Sequence, residues 1–503
     1  MAKRQGEEQI LISELMDQSG VKFGTSGARG LAVDMTDRVC YAYTRAFLRF
    51  LESIGDVKAG SKVAIAGDFR PSSPRIMNAV AMAIVDSGCE PVNCGFIPTP
   101  AVACYAMAHA IPSIMVTGSH IPDDRNGIKF YKSTGEILKA DEQAMTARSV
   151  SVAAGLFDAA GNAVGETVLP TASNEAERDY VQRYLDFFPA DCLAGRKIGV
   201  YQHSTVGRDM LVEVMQRLGA EVKALGRTEH FIPVDTEAIR PEDVSLAAGW
   251  AAEYGLDCIV SADGDGDRPL VSDERGIWLR GDVAGILCAR YLQARCVATP
   301  VSCNSAVEKS GWFERIDRTR IGSPFVIAAM DAAIAEGAGN VVGYEANGGF
   351  LTATDIELDG RKLGALPTRD AMIVPLAILM LAKAGGNTVS ELLTTLPQRF
   401  TCSDRLKEFP TELSQSRLAA LKTGDTAADI QAAEDLLGEA FGPVVAIDST
   451  DGIRITFASE EVAHLRPSGN APELRCYNEA ASEERAVEMN QICMSILEGW
   501  RFE

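Results

Sequence analysis

"SKVAIAGDFRPSSPRIMNAVAMAIVDSGCEPVNCGF", residues 61–96, carries the grammar on which the fold turns. "SKVAIAGD" reads as an apolar strand, "SPRIMNAVAMAIVDSG" as a helix with an apolar face, and "PVNCGF" as a second strand. Strand, helix and strand in close succession describe a βαβ unit. The grammar restarts at "RKIGVYQHS" (196–204), which leads through a helical stretch and "EVKALG" to the strand "DCIVSA" (257–262). A third unit reads from "AGILCARYLQARCVATPVSCNSAV" to "NVVGYEANGG". After about residue 399 the pattern changes to a hairpin, "PVVAIDSTDGIRITFAS" (443–459), and a closing helix, "SEERAVEMNQICMSILEGW". The expected fold class is α/β: three similar α/β domains with mixed sheets, at 1–170, 171–288 and 289–398, and a smaller α+β domain at 399–503, around a central cleft.

A chain of 503 residues is too long for one hydrophobic core. Its 47% hydrophobic and 23% charged content is ordinary for a globular chain, and 45 glycines with 21 prolines suit many short elements. Against 69 acidic residues stand 48 basic ones, a net charge of -21. That field repels nucleic acid and anionic membranes, so neither is an expected partner. An anionic small molecule needs a cleft where local arginines and lysines overrule it. The 12 cysteines form no CxxC pair, which points to reduced thiols in the cytoplasm. The N-terminal "MAKRQGEEQILISELMDQSG" reads as a short amphipathic helix carrying acids, unlike a signal peptide.

"SADGDGDRPL" (261–270) sets Asp263, Asp265 and Asp267 on alternate positions directly after a strand. Carboxylates ~4 Å apart repel by ~4 kcal/mol per pair at an effective dielectric near 20, so a divalent cation is the natural compensator. A calcium loop would also use these aspartates, with Glu274 at its last position. It fails because Arg268 stands where that loop needs glycine, Pro269 follows, and a strand precedes. A catalytic magnesium site and a solvated acidic turn are the readings left open.

"RPSGNAPELRCY" (466–477) surrounds a tight turn with Arg466, Ser468, Gly469, Asn470 and Arg475. Backbone N–H groups, a hydroxyl, an amide and guanidinium groups together make a phosphate nest or, alternatively, a plain hairpin turn. "KFGTSGARG" (22–30) fits neither a dinucleotide fingerprint nor a P-loop, but offers Arg29 to a phosphate. In "MVTGSHIPDDRNGIKFY" (115–131), Ser119 is a nucleophile or a turn cap, and His120 follows it. A turn at Asn126-Gly127 brings Lys129 back toward the serine. There is no G-x-S-x-G elbow, so a hydrolase triad is not supported.

In this order the strings resemble the α-D-phosphohexomutases, the family of phosphomannomutase/phosphoglucomutase and phosphoglucosamine mutases. "TGSH" with "NGIKF" is similar to the phosphoserine loop, "DGDGDR" to the metal loop, "GYEANGG" (343–349) to the sugar loop, and "RPSGNAPELRCY" to the phosphate-binding loop. The resemblance implies reversible phosphoryl transfer between O6 and O1 of a hexose phosphate through phosphorylated Ser119 and a bisphosphorylated sugar. It implies Mg2+ at Ser119, Asp263, Asp265 and Asp267, and catalytic roles for Ser119, Lys129, Arg29, Arg268 and His120. Glu345 and Asn347 are expected to bind the sugar; Arg466, Ser468, Gly469, Asn470 and Arg475 are expected to bind its phosphate. A hexose 1,6-bisphosphate is the expected activator, a hexose phosphate the only partner, and the assembly a monomer or homodimer.

Two departures bear on the substrate. Where many relatives have Ser-Gly-His after the glutamate, Ala346, Asn347, Gly348 and Gly349 stand here, and Ser323 in "TRIGSPFV" takes the place of a histidine. His203 lies where relatives have a Gly/Asn-rich turn and reads as structural. Mannose 6-phosphate and mannose 1-phosphate are the expected pair, glucose and glucosamine phosphates the alternatives. A rival of another class is a sugar-phosphate-binding protein that keeps the scaffold without turnover.

Overall fold

A computed structural model describes residues 7–24, 27–166, 168–468 and 472–501. The first three sheets repeat one plan. In the first, strands Glu90–Asn93, Lys62–Gly67, Ser113–Val116 and Arg125–Lys132 lie side by side in that order, the first three parallel and the fourth antiparallel. In the second the order is Glu221–Leu225, Lys197–Tyr201, Cys258–Ala262, Pro269–Val271, and in the third Arg315–Thr319, Cys296–Pro300, Val341–Tyr344, Phe350–Thr352, with the same directions. The sheets are therefore mixed. Strands such as Ser113–Val116 and Cys258–Ala262 are buried along their whole length because helices cover both faces, which is why their sequences are apolar but for one serine each.

Local chemistry sets the ends of the covering helices. Thr36 accepts a hydrogen bond from the Val39 N–H to start helix Asp37–Ile54, and Gly55, at φ 80°, ends it in the left-handed region. The third unit's helix Gly281–Tyr291 runs through residue 288, so the chain passes between units ahead of Gly281. No helix among the described residues is long and apolar enough to cross a membrane.

The N-terminal segment differs from its expected form. Glu7–Leu11 is a strand, antiparallel to Ser149–Ala153, and only Ile12–Ser19 is helical. Local amphipathicity pointed to a helix throughout, but a strand partner far along the chain claims the backbone of the first part.

Helices of the first three units share one apolar core. Val102, Tyr105, Tyr180, Tyr184, Leu287 and Leu379 belong to the same buried cluster, and Tyr180 and Tyr184 both donate to Asp370, at 2.7 and 2.6 Å. The fourth unit stands apart. Its five-stranded sheet is wholly antiparallel, with Val444–Asp448 and Ile453–Phe457 forming the expected hairpin, and it packs on Glu483–Gly499 around its own core of Leu437, Phe457, Leu465 and Met489.

What ties the fourth unit to the third is mostly polar. Arg399 donates to Glu479 at 2.6 Å with both side chains buried, Ser305 donates to the same carboxylate, and Asn304 donates to the Arg399 carbonyl at 2.8 Å. Removing one member of a buried ion pair strands the other charge. Glu479→Ala is expected to destabilise the junction by ~3–5 kcal/mol. In urea denaturation the transition of the fourth unit should move to lower denaturant, while that of the shared core holds.

Candidate active site

The three sheets present their chemistry at one equivalent place, the connection between their third strand and the antiparallel fourth. In the first unit that connection holds Ser119, in the second Asp263, Asp265 and Asp267, and in the third Glu345 and Asn347.

Ser119 sits fully buried at φ 56°, a left-handed conformation that costs an L-residue roughly 1–2 kcal/mol. The surroundings enforce it. Its N–H donates to Thr117 Oγ1 at 2.7 Å, and its carbonyl accepts from Arg70 Nη2 at 3.1 Å. Arg70, itself buried, also donates to the carbonyls of Arg125 (3.0 Å) and Ile121 and pairs with Asp68 at 2.5 Å. Asp68 accepts from Thr117 and Ser73 as well, and the Phe231 ring lies 3.9 Å from the guanidinium carbon. Gly118 is needed for this clamp, since a Cβ there would meet the guanidinium at 2.8 Å. Arg70 is a positioning residue that sequence motifs missed. Its signal was "GDFRPSS", directly after a strand. The outcome is a Ser119 Oγ that donates to Asp263 Oδ2 at 2.6 Å, with His120 Nδ1 at 3.4 Å.

The three aspartates are fully buried, with ligand oxygens all within 4.8 Å of one another. Gly266, at φ 67°, lets the loop curl. Lys129 Nζ donates to Asp265 Oδ2 and Asp267 Oδ2, at 2.6 Å each; Thr99 donates to Asp265 at 2.5 Å, and Arg369 lies 2.8 Å from Asp267. Arg268 is 3.8 Å from Asp267. Asp265 Oδ1 and Asp267 Oδ1 are buried and have no hydrogen-bond partner among the described residues. Two orphaned carboxylate oxygens beside a third carboxylate are a hard, all-oxygen donor set, so the residues fit a divalent cation.

Electrostatics follow from this crowding. Burial, with the charges of Asp265 and Asp267, holds the Asp263 carboxyl well above its ordinary range. For Asp265 burial acts upward, but the Lys129 charge and the hydrogen bonds from Lys129 and Thr99 outweigh it and hold the group low. Burial and then Arg268 push Arg29 down to about 10. Burial, Arg268 and Arg29 keep His120 neutral.

The sugar-type loop is a tight turn. Gly348 N–H donates to Glu345 O at 3.0 Å, and Asn347 Oδ1 accepts from Gly349 N–H at 2.9 Å, so the Asn347 amide oxygen shapes the loop itself. Glu345 accepts from Arg369 at 3.3 Å. Arg369 thus joins the metal-type and sugar-type loops; "PTRDAM" offered no motif for it. Ser323 turns away, fully buried, to donate to Glu136 at 3.0 Å, a tie between the first and third units. His203 Nε2 donates to the Ala262 carbonyl at 2.8 Å inside the second unit, and burial lowers its pKa to about 4, in keeping with a structural role.

In the fourth unit Arg466 and Arg475 are partners across an antiparallel pair, and Ser468 N–H donates to Glu473 O at 2.8 Å to close the neck of the loop. Arg466 Nε donates to Asp451 Oδ1 at 2.9 Å, while Asp451 Oδ2 accepts from the Ile321 N–H of the third unit at 2.9 Å. Gly469 and Asn470 lie outside the described residues.

Calorimetric titration with Mg2+ is expected to show one site, and Asp267→Asn should weaken it about tenfold or more with unchanged circular dichroism. Equal affinity in the variant would remove the aspartate loop as the binding site.

Comparison with known proteins is consistent along the whole chain. Residues 20–152, 178–276 and 280–400 match alpha/beta/alpha domains I, II and III of phosphoglucomutase/phosphomannomutase, and 413–494 match its C-terminal domain. A phosphomannomutase of Salmonella muenchen is 43% identical over 96% of both chains, and one of Sinorhizobium fredii is 44% identical over 93% of this chain and 96% of its own. The crystal structure of a phosphoglucomutase/phosphomannomutase family protein from Burkholderia thailandensis superimposes with a TM-score of 0.70 at 20% identity, covering 95% of this chain and 97% of that one. With four domains matched in order and two such relatives along nearly its whole length, the chain belongs to the phosphoglucomutase/phosphomannomutase family.

Proposed function

We propose that this protein is a phosphomannomutase, an isomerase that interconverts mannose 6-phosphate and mannose 1-phosphate. One observation supports the chemistry above the others: a buried serine, forced into the left-handed region, places its hydroxyl 2.6 Å from Asp263 in the carboxylate cluster. A turn cap would not need that strain. Two relatives above 40% identity along nearly their whole length are both phosphomannomutases, which supports mannose ahead of glucose or glucosamine.

In this reading Ser119 carries the phosphoryl group. A sugar hydroxyl attacks phosphorus, the P–O bond to Ser119 Oγ breaks, and the hexose leaves Ser119 as a 1,6-bisphosphate. The intermediate reorients and returns its other phosphoryl group to Ser119. The proton of the attacking hydroxyl ends on Ser119 Oγ as its bond to phosphorus breaks, and the Lys129 ammonium, with Arg29 and Arg268, holds the oxygens of the transferring group. His120, neutral beside Ser119, can accept a hydrogen bond at Nδ1 without adding charge. Glu345 and Asn347 hold the sugar, and the nest of Arg466, Ser468, Gly469, Asn470 and Arg475 holds the phosphate that does not react. Asp263, Asp265 and Asp267 hold Mg2+, which supplies charge neutralisation for the phosphoryl group. Closure of the fourth unit excludes water, which would otherwise hydrolyse the phosphoserine. A hexose 1,6-bisphosphate restores Ser119 whenever its phosphate is lost. Twelve unpaired cysteines and the acidic surface support a cytoplasmic enzyme, working as a monomer or homodimer.

Peptide mass spectrometry is expected to find phosphate on Ser119 and to see it leave on incubation with mannose 6-phosphate. Ser119→Ala should lower kcat by ~1000-fold or more. Full activity in that variant would end the phosphoserine mechanism, and a scaffold without turnover would show neither effect. Across mannose, glucose and glucosamine phosphates, kcat/KM should be highest for mannose; glucosamine in first place would overturn the substrate assignment.

A further inference from the structure

The connection between strand Glu221–Leu225 and helix Pro241–Tyr254 lies along the site from one functional loop to another. Near its start Phe231 covers Arg70, the clamp of the serine loop, and crowds Gly264, where a Cβ would come within 2.8 Å of the ring. The Ile232 N–H donates to Ser204 Oγ at 2.7 Å, and Val234 is fully buried. Further on, Thr236 Oγ1 donates to the Asn347 carbonyl of the sugar-type loop at 2.7 Å. The next residue is Glu237. Its N–H donates to Asp235 Oδ1 at 3.1 Å, and the Ala238 N–H to the Asp235 carbonyl at 3.2 Å, a turn that fixes the backbone from which the glutamate projects.

Glu237 is exposed, and among the described residues no hydrogen bond or ion pair engages its carboxylate. It is nonetheless no ordinary solvated acid. It interacts electrostatically with Arg268 of the second unit, Arg280 and Glu345 of the third, and Arg475 and Tyr477 of the fourth. A carboxylate this accessible to four surrounding elements, yet claimed by none, stands where the units meet.

The neighbours define what it can receive. Arg268 lies at the end where phosphoryl transfer takes place, and Arg475 at the end that holds the other phosphate. Between two phosphates of a hexose lies the sugar ring. A carboxylate accepts hydrogen bonds only, and it repels phosphate, so the donors that suit it there are ring hydroxyls. We propose that Glu237 is a specificity-determining residue that accepts a hydrogen bond from a ring hydroxyl and, with Glu345, reads the configuration of the hexose. The inference rests on the hexose-phosphate reading above and adds a second carboxylate, from a different unit, to the sugar site.

Because the side chain is exposed, Glu237→Gln and Glu237→Ala should fold with the parent melting temperature. Steady-state kinetics with mannose 1-phosphate, glucose 1-phosphate and the 2-, 3- and 4-deoxy analogues of the preferred substrate then separate the outcomes. Glu237→Gln is expected to lower kcat/KM for the preferred hexose about tenfold or more, to change the mannose-to-glucose ratio at least about fivefold, and to have little effect on the one analogue that lacks the hydroxyl it reads. A loss of equal size for every sugar and analogue, or no loss at all, overturns the inference. A parent enzyme that turns over no hexose phosphate overturns the functional reading instead, so the two failures are distinct.

Discussion

Everything around the site depends on compensating buried charge. Asp263, Asp265, Asp267 and Glu345 meet Lys129, Arg29, Arg268 and Arg369 in a space where most of these side chains are nearly or fully buried. Removing a carboxylate from water costs several kcal/mol even after relaxation, and only close, hydrogen-bonded partners offset it. The partners come from three units of the chain, so the units must stay in register for the cluster to exist. The shared apolar core beneath them supplies that register. With all four carboxylates ionised, they balance the four cations and the cluster is near neutrality. A phosphoryl dianion therefore enters without disturbing the balance only if a dication accompanies it, which is what the orphaned oxygens of Asp265 and Asp267 are suited to hold.

The separation of duties follows the topology. Each mixed sheet ends its third strand at the site and sends its fourth strand back antiparallel, so the connecting loop must turn sharply and at close quarters. Serine, metal-type and sugar-type loops are three solutions to one geometric demand. The fourth unit, with its own core and a polar junction, brings a different kind of loop from a different kind of sheet.

These local turns are why much of the site was legible in the sequence. Glycines next to Ser119, among the aspartates and after Glu345 mark backbones that must curl, and such marks survive without any knowledge of the partner. Alternating strands and helices made the mixed α/β units legible for the same reason. Arg369 and Glu237 were not legible, and the role of Arg70 was not, although "GDFRPSS" marked its loop, because each acquires its meaning from groups on other elements: Ser119 and Phe231 for Arg70, Asp267 and Glu345 for Arg369, three units for Glu237. Glu7–Leu11 misled because its pattern suits a helix while its partner, Ser149–Ala153, lies at the far end of the first unit. The string "TRIGSPFV" could not say where Ser323 points; its hydroxyl turns to Glu136, a choice fixed by packing between units.

The shared carboxylate of Asp451 has a mechanical meaning. With one oxygen on a backbone N–H of the third unit and the other on Arg466, it is a rivet through two plates. Any swing of the fourth unit away from the third breaks the Ile321–Asp451 bond, while Arg466 travels with Asp451. The carboxylate that orients Arg466 is thus the same one that holds the fourth unit against the third, so the setting of that arginine and the seating of its unit share one side chain.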